Sequence, residues 1–172
     1  MTASSQGHAY GRLPRLTVHA EYVKDFSFRN PCAPQSLAPR SVAPRSLAPS
    51  IRPMASVQVD VSARPLSAVD VEVELRLDGE CSEPAGARAV LYRFVLAYAG
   101  IFGTREIPRE CLHSVVMIEA PRLLFPAARE IVAFMVGSAG FPPLLIDPVD
   151  FAALYQRRSV HEAAPAARPG RS

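Results

Sequence analysis

Alternating apolar and polar residues predict four β-strands in the first two thirds of the chain. They cover residues 16–28, 57–61, 69–77 and 89–101, and residues 79–86 between the last two predict a turn. Strict alternation is typical of a strand with one buried face. In the first strand we expect that face to carry the even-numbered apolar positions: Leu16, Val18, Ala20, Tyr22, Phe26 and Phe28. Short connections favour an antiparallel meander.

A different pattern, apolar residues at helical spacing, covers residues 120–143. Its main stripe consists of Leu124, Ala128, Ile131 and Met135. Leu123, Ala127 and Phe134 widen that stripe. A helix that is apolar on most of its circumference must be buried on more than one side. We therefore expect one side to pack on the sheet and the other on a partner subunit. Gly137 and Gly140 are expected to end this helix.

Two shorter helices are predicted around the long one. Pro108 suits the first turn of a helix that Pro121 would interrupt. Asp147 is expected to cap a last helix, with Pro148 at its first position. Its apolar face would carry Phe151, Leu154 and Tyr155.

Proline, alanine, serine and arginine dominate the segments outside these elements. We therefore expect one domain at 15–157, with disordered tails at 1–14 and 158–172 and a loop insertion at 31–53. Within the insertion, residues 36–50 contain three copies of S-[LV]-A-P-[RS]. A proline every fifth residue excludes a helix or a central strand and favours a mobile extended loop. A proline-rich ligand for an aromatic groove is the alternative, but the spacing is not P-x-x-P.

The charge of +3 is unevenly distributed. Residues 54–155 contain 8 arginines and 13 carboxylates, a net charge of −5, and the remaining segments have a net charge of +8. No aromatic residues interleave with the tail arginines, so we expect solvated tails rather than nucleic-acid binding. No apolar run reaches the roughly 18 uncharged residues that a transmembrane helix needs. Three cysteines without a C-x-x-C pair suit a reducing compartment, so we expect a cytoplasmic protein without membrane insertion.

Catalytic motifs are absent from the sequence, since it contains no H-E-x-x-H, Gly-rich phosphate loop or G-x-S-x-G. We expect no catalytic residues, cofactor or metal. The remaining enzymatic hypothesis is a small cytoplasmic enzyme that uses Cys111 with His113. Residues two apart on a helix point in different directions, which weighs against that pair.

Five motifs, in order between about residues 16 and 157, resemble the protein-export chaperone family SecB. They are V-K-D-F-S-F with Asn30 and Ala33-Pro34, Y-A-G-I-F at 98–102, L-F-P-A-A-R at 124–129, G-F-P-P at 140–143, and D-P-V-D-F at 147–151 followed by Leu154-Tyr155. The resemblance implies an α+β fold: a four-stranded antiparallel sheet packed on one face by a long kinked helix and a shorter C-terminal helix. It also implies an ATP-independent holdase for unfolded preproteins, which it delivers to the translocase motor SecA.

Family members are homotetramers, dimers of dimers, with the long helix at the interface. The resemblance therefore assigns the oligomer interface to Leu124, Ala128, Ile131 and Met135. It assigns client binding to an extended apolar groove lined by Val57, Val59, Val61, Phe141, Leu144, Ile146, Phe151 and Tyr155.

The resemblance also assigns SecA docking to Asp25. The chain departs from the family at Arg29, Arg93 and Val95, where acidic, apolar and acidic residues are common. It also lacks the cysteines of the zinc-binding tail that some members have, so no zinc is expected. These departures motivate the alternative of a SecB-like chaperone dedicated to one partner, such as a toxin–antitoxin component.

Overall fold

A computed structural model describes residues 15–34, 37, 54–82 and 90–163, with side chains up to residue 159. The predicted N-terminal tail, nearly all of the repeat loop and residues 164–172 lie outside the described residues. The fold class expected from the sequence is confirmed: four antiparallel strands form one sheet, and two helices follow them.

The sheet consists of β1 (Thr17–Arg29), β2 (Met54–Pro65), β3 (Asp70–Ser82) and β4 (Val90–Gly103). The strand order is β1-β4-β3-β2, with every neighbouring pair antiparallel. The meander predicted from the short connections is confirmed for β2 to β4, and β1 pairs with β4 at the opposite edge from β2. The long connection at residues 30–53 allows this, because it does not hold β1 and β2 together as a tight turn would.

The two faces of the sheet differ in chemistry. One face, here called the helix side, carries the buried side chains of Leu75, Leu77 and Leu96. The other, here called the outer face, carries Glu72 and Glu74 on β3. The acidic outer face predicted for this strand follows from the same alternation.

β1 does not keep the single buried face that its sequence predicts. Its pairing with β4 shifts register at two points, between residues 18 and 20 and between 23 and 25. Each such irregularity moves the following side chains to the other face. Phe26 and Phe28 lie on the helix side, opposite Leu96 and Phe94, whereas Tyr22 lies on the outer face.

The predicted turn at 79–86 begins too early, because β3 continues to Ser82. Gly79 is a strand residue that pairs with Phe94. A Cβ atom at Gly79 would lie 2.2 Å from Cε1 of Phe94, whose ring is only 1% exposed. Glycine is here because an aromatic ring covers the backbone, not because the chain turns.

α1 (Arg109–Ser138) is one helix of 30 residues that contains both Pro121 and Pro126. The predicted break at Pro121 is therefore wrong, and Pro108 is the N-cap residue rather than the first helical one. A buried stripe along the helix outweighs the hydrogen bonds that the prolines remove. Its members are Val116, Ala120, Pro121, Leu124, Phe125, Ala128, Val132 and Val136. By length and composition alone α1 could cross a membrane, but here it packs on β2, β3 and β4.

The C-terminus of α1 is closed by two backbone hydrogen bonds. Gly140 has a φ of +88° and donates to the Gly137 carbonyl at 3.0 Å, and Phe141 donates to the Val136 carbonyl at 3.2 Å. This is the Schellman arrangement, which needs a left-handed residue just past the helix. The prediction for Gly140 is confirmed, and the one for Gly137 is wrong because that residue lies inside α1.

α2 (Phe151–Ala163) starts later and ends later than predicted. The Asp150 carboxylate accepts the Ala153 backbone N–H at 3.0 Å, so Asp150 is the N-cap. The predicted cap, Asp147, lies three residues too early. The helix also continues past residue 157, where the sequence placed the start of a disordered tail.

Candidate functional site

The eight residues predicted to line a client groove lie on β2, in the segment after α1 and on α2. Three of them are core residues in this chain: Val61 is 3% exposed, Ile146 9% and Phe151 2%. These three support the surface from below. The other five are half-buried and so leave part of their apolar area exposed: Val57, Val59, Phe141, Leu144 and Tyr155.

The three valines share one face because β2 alternates. Val57, Val59 and Val61 pair with Gly79, Leu77 and Leu75, so all three lie on the helix side. β2 is an edge strand of the sheet. Burial rises from the half-buried Val57 and Val59 to Val61, the one buried residue of β2, and residues 62–65 are exposed again.

An aromatic row at one end of the sheet joins the predicted residue Phe141 to two rings that the sequence did not predict as site residues, Phe28 and Tyr92. The rings of Phe28 and Tyr92 are stacked with centroids 5.6 Å apart, and Tyr92 lies 4.9 Å from Phe141. Burial raises the pKa of Tyr92, so its hydroxyl stays protonated. The alternation of side chains along each strand could have identified both residues, because Phe28 and Tyr92 occupy helix-side positions of β1 and β4.

The segment between α1 and α2 exposes one large apolar residue that the sequence did not single out. Leu145 is 77% exposed, between the half-buried Leu144 and the buried Ile146. The Arg129 guanidinium on α1 donates to the Ile146 carbonyl at 3.3 Å and so fixes this segment to the helix. Henceforth the client surface means Phe28, Val57, Val59, Phe141, Leu144, Leu145 and Tyr155.

Cys111 and His113 are engaged with different partners. The Cys111 thiol donates to the Pro108 carbonyl at 3.4 Å. The His113 Nδ1 lies 3.0 Å from the Tyr155 hydroxyl, and this contact joins α1 to α2. The enzymatic hypothesis therefore has no thiol–imidazole contact to rest on. Within the part of the chain that the structure describes, no three His, Cys, Asp or Glu residues cluster as metal ligands would.

A buried carboxylate organises the outer face. Glu72 is 6% exposed and accepts hydrogen bonds from the Tyr22 hydroxyl at 2.5 Å, Lys24 Nζ at 3.2 Å and Arg64 Nε at 3.2 Å. The Tyr22 hydrogen bond is the main cause that lowers the pKa of Glu72. Tyr22 pairs with the small Ala99 of β4, so side chains of β1 and β3 meet above that strand. The network thus ties β1, β2 and β3 together.

The predicted docking residue Asp25 is exposed and pairs with Ala97 on the outer face. The two departures Arg29 and Arg93 are direct cross-strand partners on that face. Arg93 is neutralised in part by Glu80, whose carboxylate lies 2.6 Å from its Nε.

The exposed face of α1 is not the stripe that the sequence assigned to the interface. Leu124 and Ala128 are fully buried in this chain's own core, at 0% exposure, whereas Leu123 is 46% and Phe134 73% exposed. Ile131 and Met135 are half-buried between the two sides. The exposed side of α1 is therefore the one carrying Leu123 and Phe134.

Three comparisons connect this geometry to known proteins. A family model described as preprotein translocase subunit SecB matches residues 10–162. The protein-export protein SecB of Xanthobacter autotrophicus is 46% identical over 162 residues, covering 94% of this chain and 96% of that protein. The protein-export protein SecB of Azorhizobium caulinodans is 47% identical over 150 residues, covering 87% of this chain and 86% of that protein.

Among solved structures, a SecB-like chaperone of Mycobacterium tuberculosis in complex with a peptide from an antitoxin has a TM-score of 0.56. The two chains are 16% identical, and the match covers 78% of this chain and 91% of the other. At that identity the likeness shows the fold.

Proposed function

This chain belongs to the SecB family, and we propose that it holds unfolded preproteins on the client surface and keeps them competent for export. Its function is that of a protein-export chaperone. The observation that carries the proposal for the site is Leu145, a leucine 77% exposed beside half-buried apolar residues on the helix side of the sheet. The free energy falls when a client covers a large apolar side chain that is exposed to water.

The physical basis of holding is a balance between entropy and burial. An unfolded client loses conformational entropy wherever a segment is fixed. Each apolar side chain that becomes fully buried contributes about 1.5–3 kcal/mol. Several shallow contacts along one chain therefore add up to useful avidity without a strict sequence requirement.

We propose a homotetramer, a dimer of dimers, with α1 at the interface between dimers. Phe134, 73% exposed, and Leu123, 46% exposed, support this because both are large apolar residues on a helix whose other side is already buried. In a tetramer, client segments could bind several copies of the client surface at once, which raises the effective concentration.

Delivery to SecA in the cytoplasm is proposed to use the outer face, around Asp25. Exposed carboxylates on this face, such as Asp25 and Asp78, suit a basic partner surface. Arg29 and Arg93 oppose that attraction, and Glu80 offsets Arg93. We therefore expect weaker and less salt-sensitive SecA binding than a fully acidic face would give, because fewer attractive charge pairs are available for salt to screen.

The first experiment measures the mass of the protein by light scattering, alone and with a permanently unfolded polypeptide, and the delay of that polypeptide's aggregation. A tetramer that takes up client and delays aggregation supports holding. A protein that ignores the unfolded chain contradicts it.

The variant Leu145→Asp tests the client surface itself. We expect client affinity to fall about ten-fold, because a charge replaces an apolar contact of about 1.5 kcal/mol. The matched control is Leu66→Asp, at a leucine 45% exposed in the turn between β2 and β3. Equal affinities of the two variants would contradict the placement of the site.

Pull-down from the host distinguishes general holding from a chaperone dedicated to one partner. Many export-bound precursors are expected. One dominant partner would contradict general holding.

A further inference from the structure

The edge of β2 is closed at its centre by side chains. Leu66 N–H donates to the Asp70 carbonyl at 2.9 Å, so residues 66 and 70 form a hydrogen-bonded pair. Hydrogen-bonded and non-hydrogen-bonded pairs alternate along antiparallel strands. Val61, opposite Leu75 in the same register, is therefore at a non-hydrogen-bonded pair, and its N–H and C=O point away from β3 toward the open edge.

Both outward groups of Val61 are taken by this chain. Its N–H donates to the Asp60 carboxylate at 2.9 Å, and its carbonyl accepts from the Arg158 guanidinium at 2.6 Å. Arg158 and Asp60 also form an ion pair with each other. One acceptor and one donor thus stand where a neighbouring strand would place its own C=O and N–H.

The rest of this edge follows the same alternation. Pro65 occupies another outward position, where its missing N–H costs no ladder hydrogen bond. Val57 and Val59 also direct their backbone groups outward, by the same alternation. An unpaired strand edge is a ready template for an extended polypeptide.

We propose that Arg158 and Asp60 form a latch that fastens α2 to the edge of β2 and keeps extended polypeptide from pairing there at Val61. The contact is autoinhibitory: a strand that adds to β2 must first displace Arg158 from the Val61 carbonyl. The Arg158 side chain is 41% exposed and that of Asp60 55%, so salt screens the pair and loosens the latch. The consequence for clients rests on the proposed function, whereas the latch itself does not.

Hydrogen exchange of the Val61 amide tests the latch without any client. Arg158→Met keeps the apolar stem and removes the donor, and Asp60→Ala removes the acceptor. Arg157→Met is the matched control. It removes the same charge from the preceding residue of α2, which makes none of these contacts. We expect faster Val61 exchange, by about three- to ten-fold, in both latch variants and not in the control. Equal exchange in Arg158→Met and Arg157→Met would overturn the proposal.

Client affinity tests the inhibitory effect. With a permanently unfolded polypeptide, Arg158→Met is expected to bind about three- to ten-fold more tightly than Arg157→Met at low salt. The difference should shrink at high salt, where the wild-type latch is already loosened. Equal affinities at low salt would overturn the inhibitory role.

The two arms keep this inference separate from the proposed function. A wild-type protein that binds no unfolded chain contradicts the proposed function, while Val61 exchange still decides whether the latch exists. If the wild-type protein binds clients as tightly as Arg158→Met does, and Val61 exchanges at the same rate in both, the result supports the function and contradicts the latch.

Discussion

Phe94 covers the backbone of Gly79 so closely that the strand has no room for a side chain there. At residue scale this contact explains a glycine that the sequence places in a turn. Two of the ring carbons of Phe94 would lie at 2.2 and 2.3 Å from an added Cβ, and the ring is in the core, so it cannot swing into solvent.

Gly79→Ala is therefore expected to lower the free energy of unfolding by about 1–3 kcal/mol, because the core must shift to admit a methyl group. Denaturant unfolding at fixed protein concentration measures it. Gly137→Ala is the control: it lies inside α1, its new Cβ would meet Pro143 at an ordinary 3.6 Å, and a gain of about 0.5–1 kcal/mol is expected. An unchanged free energy of unfolding in Gly79→Ala would contradict the close packing of Phe94.

Glu72 makes stability depend on pH in acid. Its hydrogen bonds, first that from Tyr22, hold its pKa below the ordinary value of 4.5. The stabilisation is therefore complete above pH 4.5 and is lost as the pH falls through the lowered pKa.

Glu72→Gln is expected to cost about 1–3 kcal/mol of unfolding free energy at neutral pH, because it leaves Lys24 and Arg64 without their buried carboxylate. The difference from wild type should narrow as the pH drops below 4.5. Asp78→Asn, at an exposed carboxylate 3.9 Å from Arg76, is the control. A pH-independent difference would contradict the ionised state of Glu72.

At the scale of elements, α2 depends on its N-cap. Asp150→Ala removes the hydrogen bond to Ala153 and is expected to cost about 0.5–2 kcal/mol, with faster hydrogen exchange in the first turn of α2. Asp147→Ala removes the carboxylate that the sequence favoured as the cap and should leave that turn unchanged. If Asp147→Ala lost more unfolding free energy than Asp150→Ala and exchanged faster in that turn, Asp147 would be the cap instead.

The helices also show why element boundaries were harder to predict than the elements themselves. Pro121 removes one hydrogen bond from α1, and a proline in a sequence normally argues for a break. The helix continues because residues on both sides of Pro121 share one buried stripe on the sheet. That gain comes from tertiary packing, which the local sequence does not contain.

At the scale of the whole molecule, the exposed face of α1 governs assembly. Phe134→Asp is expected to convert the proposed tetramer into dimers, because it buries two charges where apolar rings would meet. Light scattering measures the mass. The control is Leu145→Asp, which places the same charge at an exposed leucine outside α1. A Phe134→Asp protein with unchanged mass would place the interface elsewhere.

The sequence by itself determined the kind and order of the elements. Periodicities of two and of 3.6 identified four strands, the long helix, although divided at Pro121, and the final helix, and five motifs in order identified the family. It also placed Val57, Val59, Phe141, Leu144 and Tyr155 among the candidate client residues, and all five prove half-buried. These features are visible because they depend on which residues are neighbours along the chain.

Only the tertiary structure decided the rest. It paired β1 with β4, moved Tyr22 to the outer face, placed Gly79 under Phe94 and brought Arg158, expected in a disordered tail, onto the edge of β2. Each of these outcomes depends on residues far apart in sequence. Their free energy comes from burial and hydrogen bonds that exist only after the chain has folded, so no local pattern records them.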